Sequence, residues 1–300
     1  MLSIPKGFGV NRATRSSFLA AVAAVAGGAV LPTAARAQTN PPVQGSVAVD
    51  PYTERVVQLL KSFQTGDTKP LSFIDPTKYI QHDLRLADGV KALADRIRAV
   101  KKGSDTVETL RAFRDGNYVF THSLYDFGVP TVGFDIFRFE KGLIVEHWDN
   151  LQKAESKPSH SMVDGPRTAS DLDKTDANKA LLKSYMDEIF VQKRRDRFPA
   201  YFDGNNYIQH NPFIQDDGLT GLVAGLQALA KKGITVEYDG VRMLLGQGDF
   251  VLVVNDAKFG GEPSAIYDMY RVSNAKIAEH WDAIEEIPPR DTWKNDNGKF

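Results

Sequence analysis

The chain has 300 residues, 42% of them hydrophobic, with a formal net charge of -1 and no cysteine. Near-neutral charge gives no bulk attraction to nucleic acid or to an anionic membrane surface. The absence of cysteine excludes thiol redox chemistry, thiolate nucleophiles and cysteine-ligated metal, so stability must come from burial.

Residues 1–37 read as an export signal. Lys6, Arg12 and Arg15 form a basic leader, residues 18–30 are a short apolar run, and Ala35-Arg36-Ala37 gives a small-x-small cleavage pattern. The run falls short of the ~20 residues needed to span a bilayer. The expected mature protein is therefore cleaved after Ala37, free of the membrane, and periplasmic or secreted. Thr14-Arg15-Ser16-Ser17-Phe18-Leu19 resembles a twin-arginine signal with Ser16 in place of the second arginine, which leaves both export routes open.

Residues 38–50, rich in Pro, Gly, Ser and Asn, read as a flexible lead-in. From Tyr52, the spacing of Val56, Val57, Leu59, Leu60 and Phe63 predicts a helix that Gly66-Asp67 stops. Asp75-Pro76-Thr77 predicts a short helical turn carrying Tyr79 and His82, and Asp88-Gly89 precedes a third helix with Val90, Leu93, Ile97 and Val100 on one stripe. After Gly103 the period becomes alternating. Residues 107–113, 118–125, 131–139 and 143–148 read as strands, with hairpin turns at Asp115-Gly116-Asn117 and Glu140-Lys141-Gly142. Helices followed by an antiparallel meander make an α+β arrangement.

The whole pattern then repeats. Tyr79-Ile80-Gln81-His82 returns as Tyr207-Ile208-Gln209-His210, and Glu146-His147-Trp148-Asp149 returns as Glu279-His280-Trp281-Asp282. Asp88-Gly89 matches Asp217-Gly218, and Phe134-Asp135-Ile136-Phe137-Arg138 matches Tyr267-Asp268-Met269-Tyr270-Arg271. The second copy predicts a first helix over residues 180–190, a short one over 207–210, a third over 219–230, and strands over 234–245, 250–259, 265–272 and 277–281. A repeat this long is a duplicated domain rather than a solenoid unit. The expected organisation is signal peptide 1–37, lead-in 38–50, domain 51–152, polar linker 153–175 and domain 176–300. The basic cluster at residues 193–197 reads as a solvated helix end.

These motifs resemble the SnoaL-like, polyketide cyclase-like branch of the nuclear transport factor 2-like superfamily. The resemblance covers both copies and includes the Asn297-Gly298-Lys299-Phe300 ending. It implies two tandem cone-shaped α+β barrels, each with three N-terminal helices packed in a curved antiparallel sheet around an apolar pocket. It also implies an intramolecular pseudo-dimer, because members of the family often pair through the outer sheet face. It does not fix a reaction, since the superfamily holds isomerases, dehydratases, cyclases and binding domains.

Polar residues on apolar elements are the candidates for chemistry, because burial without a partner costs about 1–3 kcal/mol. His82 and His210 are candidate proton carriers or else helix caps. Asp135 and Asp268 interrupt apolar strands, and are either general bases in a cone or surface partners of Arg138 and Arg271. His147 and His280 are candidate acids or oxyanion donors. A two-residue turn at Lys141-Gly142 sets Asp135 opposite Trp148, whereas a three-residue turn sets it opposite His147. Tyr79, Tyr207, Trp148 and Trp281 are candidate pocket walls or core fillers. His122, matched by Val254 with Asn255 beside it, is a polar difference between the copies. The six histidines show no metal-binding spacing and no phosphate loop is present, so neither metal nor cofactor is expected. The functional expectation is cofactor-free general acid-base chemistry on a small apolar or carbonyl-containing ligand: isomerisation, dehydration or aldol-type ring closure. The alternative is non-catalytic binding of an apolar small molecule in the periplasm.

Overall fold

A computed structural model describes residues 50–155 and 159–300. The expected signal peptide, and the lead-in apart from Asp50, lie outside the described residues. The described chain is mixed α+β with two five-stranded sheets of identical order. In the first half, α1 (Pro51–Thr65) and α2 (Val90–Arg98) precede β2 (Thr106–Asp115), β3 (Tyr118–Asp126), β4 (Pro130–Glu140) and β5 (Leu143–Lys153), and β1 (Ile80–Gln81) pairs parallel with β5. In the second half, α3 (Thr175–Tyr185) and α4 (Gly218–Lys231) precede β7 (Val236–Gln247), β8 (Phe250–Phe259), β9 (Glu262–Ser273) and β10 (Lys276–Glu286), with β6 (Ile208–Gln209) pairing parallel with β10.

Local chemistry explains most of these boundaries. Asp50 caps α1 by accepting from the Tyr52 and Thr53 backbone N–H groups, and Gly66 ends it in the left-handed conformation at φ 70°. The short helices expected at Tyr79–His82 and Tyr207–His210 are instead the two-residue strands β1 and β6. The reason is a competing set of partners: β5 and β10 offer free edges, and the Asp88 and Asp217 carboxylates accept the backbone N–H groups of Gln81 and Gln209 at 2.9 and 3.0 Å. α3 runs into a π-helical turn, Met186–Val191, where the first half keeps a regular helix.

The β4–β5 hairpin has the two-residue turn, but neither expected register. Lys141 and Gly142 take positive φ, and a bulge beside Arg138/Phe139 adds one residue to β5, which sets Asp135 opposite Asp149. The bulge recurs between Ile277 and Glu279, and Asp268 lies opposite Asp282.

Each sheet buries both faces. The inner face of the first packs Val119, Phe137 and Ile144 against α1 and α2, and that of the second packs Val251, Val253 and Tyr270 against α3 and the π turn. The outer faces meet each other. Phe113, Phe120, Phe134, Ile136 and Trp148 share one cluster with Phe250, Leu252, Val254, Tyr267, Met269 and Trp281. At about 1.5–3 kcal/mol per large apolar side chain, this shared layer is a major source of stability for both halves.

The segment expected to be a loose linker is partly docked. Met162 is buried, and the buried Arg111 guanidinium donates to the carbonyls of Asp164 and Pro166 while stacking 4.4 Å over Trp281. The C-terminal segment mirrors it on the other half, where Asn295 and Asn297 donate to the carbonyls of Asp83, Leu86 and Gln81.

Candidate functional site

The second half contains a mostly apolar cavity of about 130 Å³. Its apolar wall includes Ile189, Phe190, Phe198, Leu222, Leu226 and Phe259, and its polar end gathers Gln209, Asn211, Asp268, His280 and Asp282. The π turn supplies Ile189 and Phe190, so the departure from regular helix falls on the pocket wall.

Strand geometry brings the polar residues together. Because β9 and β10 pair Asp268 with Asp282 and Tyr270 with His280, all four side chains share the inner face. His280 Nε2 lies 2.8 Å from Asp268 Oδ1, and its Nδ1 lies 2.9 Å from Gln209 Oε1. The other Asp268 oxygen accepts from Asn255 at 2.8 Å and from the Tyr238 hydroxyl at 3.3 Å. Asn211 donates its side-chain amide to Asp282. The Tyr270 ring stacks on His280 at 4.7 Å. Burial, followed by the nearby Asp268 charge, pushes the phenols of Tyr185, Tyr238 and Tyr270 upward, so they stay protonated and can donate. Oxygen and nitrogen atoms of Asp268, His280 and Asp282 lie within 4.8 Å of one another, close enough to ligate a cation. The arrangement present is a hydrogen-bonded pair with a second carboxylate beside it.

The first half repeats this constellation and then closes it. His147 bridges Gln81 Oε1 at 2.9 Å and Asp135 Oδ1 at 3.2 Å, and Tyr125 donates to the other Asp135 oxygen at 2.5 Å. Tyrosine reaches the aspartate from different strands in the two halves. The cross-strand pair Val107/Tyr125 corresponds to Tyr238/Ala257, so the ring moved to the neighbouring strand while its hydroxyl kept its partner. Asp149, the counterpart of Asp282, accepts Arg85 at 2.7 Å and faces Lys299 at 3.4 Å. Arg85 also pairs with Asp83 and Glu285, and Lys299 with Glu285 at 2.7 Å. Burial raises the Asp149 carboxyl to about 6, helped by Asp83 and opposed by Lys299 and Arg85. Burial also works against the Asp83 carboxylate, but Arg85 outweighs it and lowers that pKa. The corresponding second-half residues are Asn211 and Phe213, which carry no charge.

Of the residues singled out in the sequence, Tyr207, Asp268 and His280 line the cavity, and Asn255 holds Asp268 from behind. Tyr79, Asp135 and His147 form the corresponding cluster of the first half. His82 and His210 lie elsewhere, each stacked on a tryptophan (Trp148 and Trp281) at the seam between the halves. Both nitrogens of each face acceptors: Glu146 and the Gly298 carbonyl for His82, Glu279 and the Ser161 carbonyl for His210. Burial opposes the Glu279 charge, yet hydrogen bonds from His210 and Arg271 lower its pKa. His122 is also at the seam, stacked on Phe134 and 2.9 Å from Arg111. Sequence reading missed Asp282, Gln209, Asn211 and the tyrosines 185, 238 and 270. Asp282 and Gln209 were visible within the doubled signatures, and Asn211 as the point where the copies diverge.

No protein-family model matches the chain, and no curated protein matches it. Solved structures share a local likeness. One is an NTF-2 like protein of unknown function from Burkholderia xenovorans LB400, at 17% identity and TM-score 0.31, covering 35% of this chain and 86% of that one. Another is a candidate ketosteroid isomerase from Kribbella flavida DSM 17836, at 18% and 0.32, covering 39% and 84%. A third is IdmH, a candidate polyketide cyclase from Streptomyces antibioticus, at 18% and 0.28, covering 34% and 92%.

Proposed function

We propose that the second-half cavity is the active site of a cofactor-free enzyme that moves a proton on a small carbonyl compound, as an isomerase, dehydratase or aldol-type cyclase. The observation that carries this reading is the convergence of Asp268, His280 and Asp282 at the polar end of a mostly apolar cavity, whose lining also includes Arg195 and Gln227. With one proton shared across the 2.8 Å contact between Asp268 and His280 and the Asp282 carboxylate beside them, the cluster has net charge -1 and acts as the base. It takes a proton from the carbon beside the substrate carbonyl, and the electron pair of the broken C–H bond moves onto the carbonyl oxygen. Tyr185, Tyr207 and Tyr270 line the cavity and are kept protonated by burial, so their hydroxyls are available to donate to that oxygen. The proton then returns to another carbon, or to a departing hydroxyl, or the enolate attacks a second carbonyl and the proton ends on the new alkoxide.

The SnoaL-like resemblance supports the same reading and adds the cone architecture and the fused pseudo-dimer, while the basic leader, apolar run and Ala35-Arg36-Ala37 pattern add export after Ala37. In the pseudo-dimer the first half is the structural partner, its own cluster neutralised by Arg85 and Lys299. The test is exchange of acidic C–H hydrogens in D₂O, followed by NMR across a panel of small ketones. Asp268→Asn is expected to abolish exchange while Asp135→Asn leaves it intact. Full exchange by Asp268→Asn sinks the assignment, and saturable binding without exchange by the wild type identifies a binding protein instead.

A further inference from the structure

Gln209 lies directly across from His280 where β6 pairs with β10. Its side chain has a fixed direction. The Asn211 backbone N–H meets one end of the amide at 2.9 Å, and the other end donates to the Tyr207 hydroxyl at 2.8 Å. A backbone N–H can only donate, so the end it meets is the oxygen. His280 Nδ1 faces that same oxygen at 2.9 Å and must therefore carry a hydrogen.

The consequence falls on the other ring nitrogen. With Nδ1 protonated, a neutral imidazole would aim a lone pair from Nε2 at Asp268 Oδ1, 2.8 Å away, and the contact would be repulsive. A proton between them is required. Asp268 is already an acceptor on its other side, from the Asn255 amide nitrogen at 2.8 Å and the Tyr238 hydroxyl. That amide is itself oriented by the Ile266 carbonyl, 3.4 Å from its nitrogen. An aspartate that accepts from three directions leaves the shared proton on the histidine.

The geometry points to Gln209 as the positioning residue that holds His280 with both ring nitrogens as donors, so that the Asp268–His280 pair keeps one transferable proton at rest. This deepens, and rests on, the proton-transfer reading of the cavity. The first half carries the same lock. There Gln81 accepts the Asp83 backbone N–H and faces His147 Nδ1, both at 2.9 Å, while donating to Tyr79 at 3.1 Å. His147 is thus an internal reference in the same molecule.

The experiment is ring-nitrogen NMR at pH 7 on the full chain labelled with ¹⁵N-histidine, with His280 assigned from the spectrum of His280→Asn. Wild type is expected to show hydrogen on both His280 nitrogens. Gln209→Glu, which keeps an oxygen acceptor, should retain both. Gln209→Met, which keeps the length and loses the acceptor, should free Nδ1 and slow ketone exchange on the order of 10–100-fold with KM little changed. The His147 signals should not move in either variant. A wild-type spectrum with no hydrogen on Nδ1 overturns the assignment, whatever the protein does to ketones, and so does a Gln209→Met protein with both hydrogens and full rate. The expected spectra without any exchange by the wild type refute the proton-transfer reading and leave the lock in place.

Discussion

The first-half cluster makes a quantitative claim about stability. Asp149 is 4% exposed, and burial with the neighbouring Asp83 raises its carboxyl from 3.8 to about 6 against the pull of Lys299 and Arg85. Between those two values the folded state keeps a proton that the unfolded chain has released. The stabilising contribution of this group is therefore complete below pH 3.8 and is lost as pH rises through about 6. A shift of that size corresponds to about 3 kcal/mol at roughly 1.4 kcal/mol per pKa unit. Asp149→Asn removes the titration while leaving an oxygen for Arg85 to donate to. Glu146 and Glu279, whose pKa values are lowered, contribute with the opposite sign in both proteins and cancel in the difference. Urea unfolding of both proteins at pH 4, 5, 6 and 7 gives that difference directly. Wild type is expected to lose about 2–3 kcal/mol relative to Asp149→Asn between pH 4 and pH 7, since part of the linkage is already lost at pH 4. A difference that stays flat, or that favours the wild type as pH rises, refutes the claim that burial outweighs the two cations around this carboxylate.

Three further perturbations test the remaining contacts. Grafting the first-half pair into the second half, as Asn211→Asp with Phe213→Arg, should bring a guanidinium to Asp282 and remove small-ketone binding in calorimetry; unchanged affinity would show that the cation does not reach the site. Arg111→Met introduces the residue found at the matching position of β7, Met243, and strands the carbonyls of Asp164 and Pro166. It should cost about 2–4 kcal/mol in denaturant unfolding and speed proteolysis between residues 159 and 170, and unaltered cleavage would count against the docked linker. A cavity of about 130 Å³ is near the size that admits one benzene ring, so cyclohexanone should raise the melting temperature and a two-ring ketone should not. Equal shifts would place the binding elsewhere.

The sheets were legible because alternation and hairpin turns are local properties: residues 250–259 are strand β8 as expected, and the other strands differ mainly at their ends. The short segments at Tyr79 and Tyr207 were not, because two residues carry no period and their structure is set by the free edge of a strand far along the chain. Asp135 was expected opposite Trp148 or His147 and lies opposite Asp149, since a bulge leaves no signature in side-chain type. The Asp–His pairing that only the three-residue turn was expected to give is nevertheless present, because a one-residue bulge combined with a two-residue turn returns both side chains to the same face.

The doubled signatures also have a reason that neither shows alone. β6 runs parallel to β10, so successive residues of one signature meet successive residues of the other. Gln209 faces His280, His210 pairs with Glu279 and stacks on Trp281, and Asn211 donates to Asp282. The alternation of a strand sends Gln209 and Asn211 toward the cavity and His210 toward the seam between the halves. One face of the pairing therefore builds the acid-base cluster, and the other ties the two halves together. The retained residues, Tyr, Gln and His, are those that orient a neighbour in both copies. Asp83 and Asn211 differ where the first half needs an anion for Arg85 and the second needs a neutral donor for Asp282. Together with Arg85 in place of Phe213 and the approach of Lys299, that difference of charge separates a cluster closed by salt bridges from one that opens into a cavity.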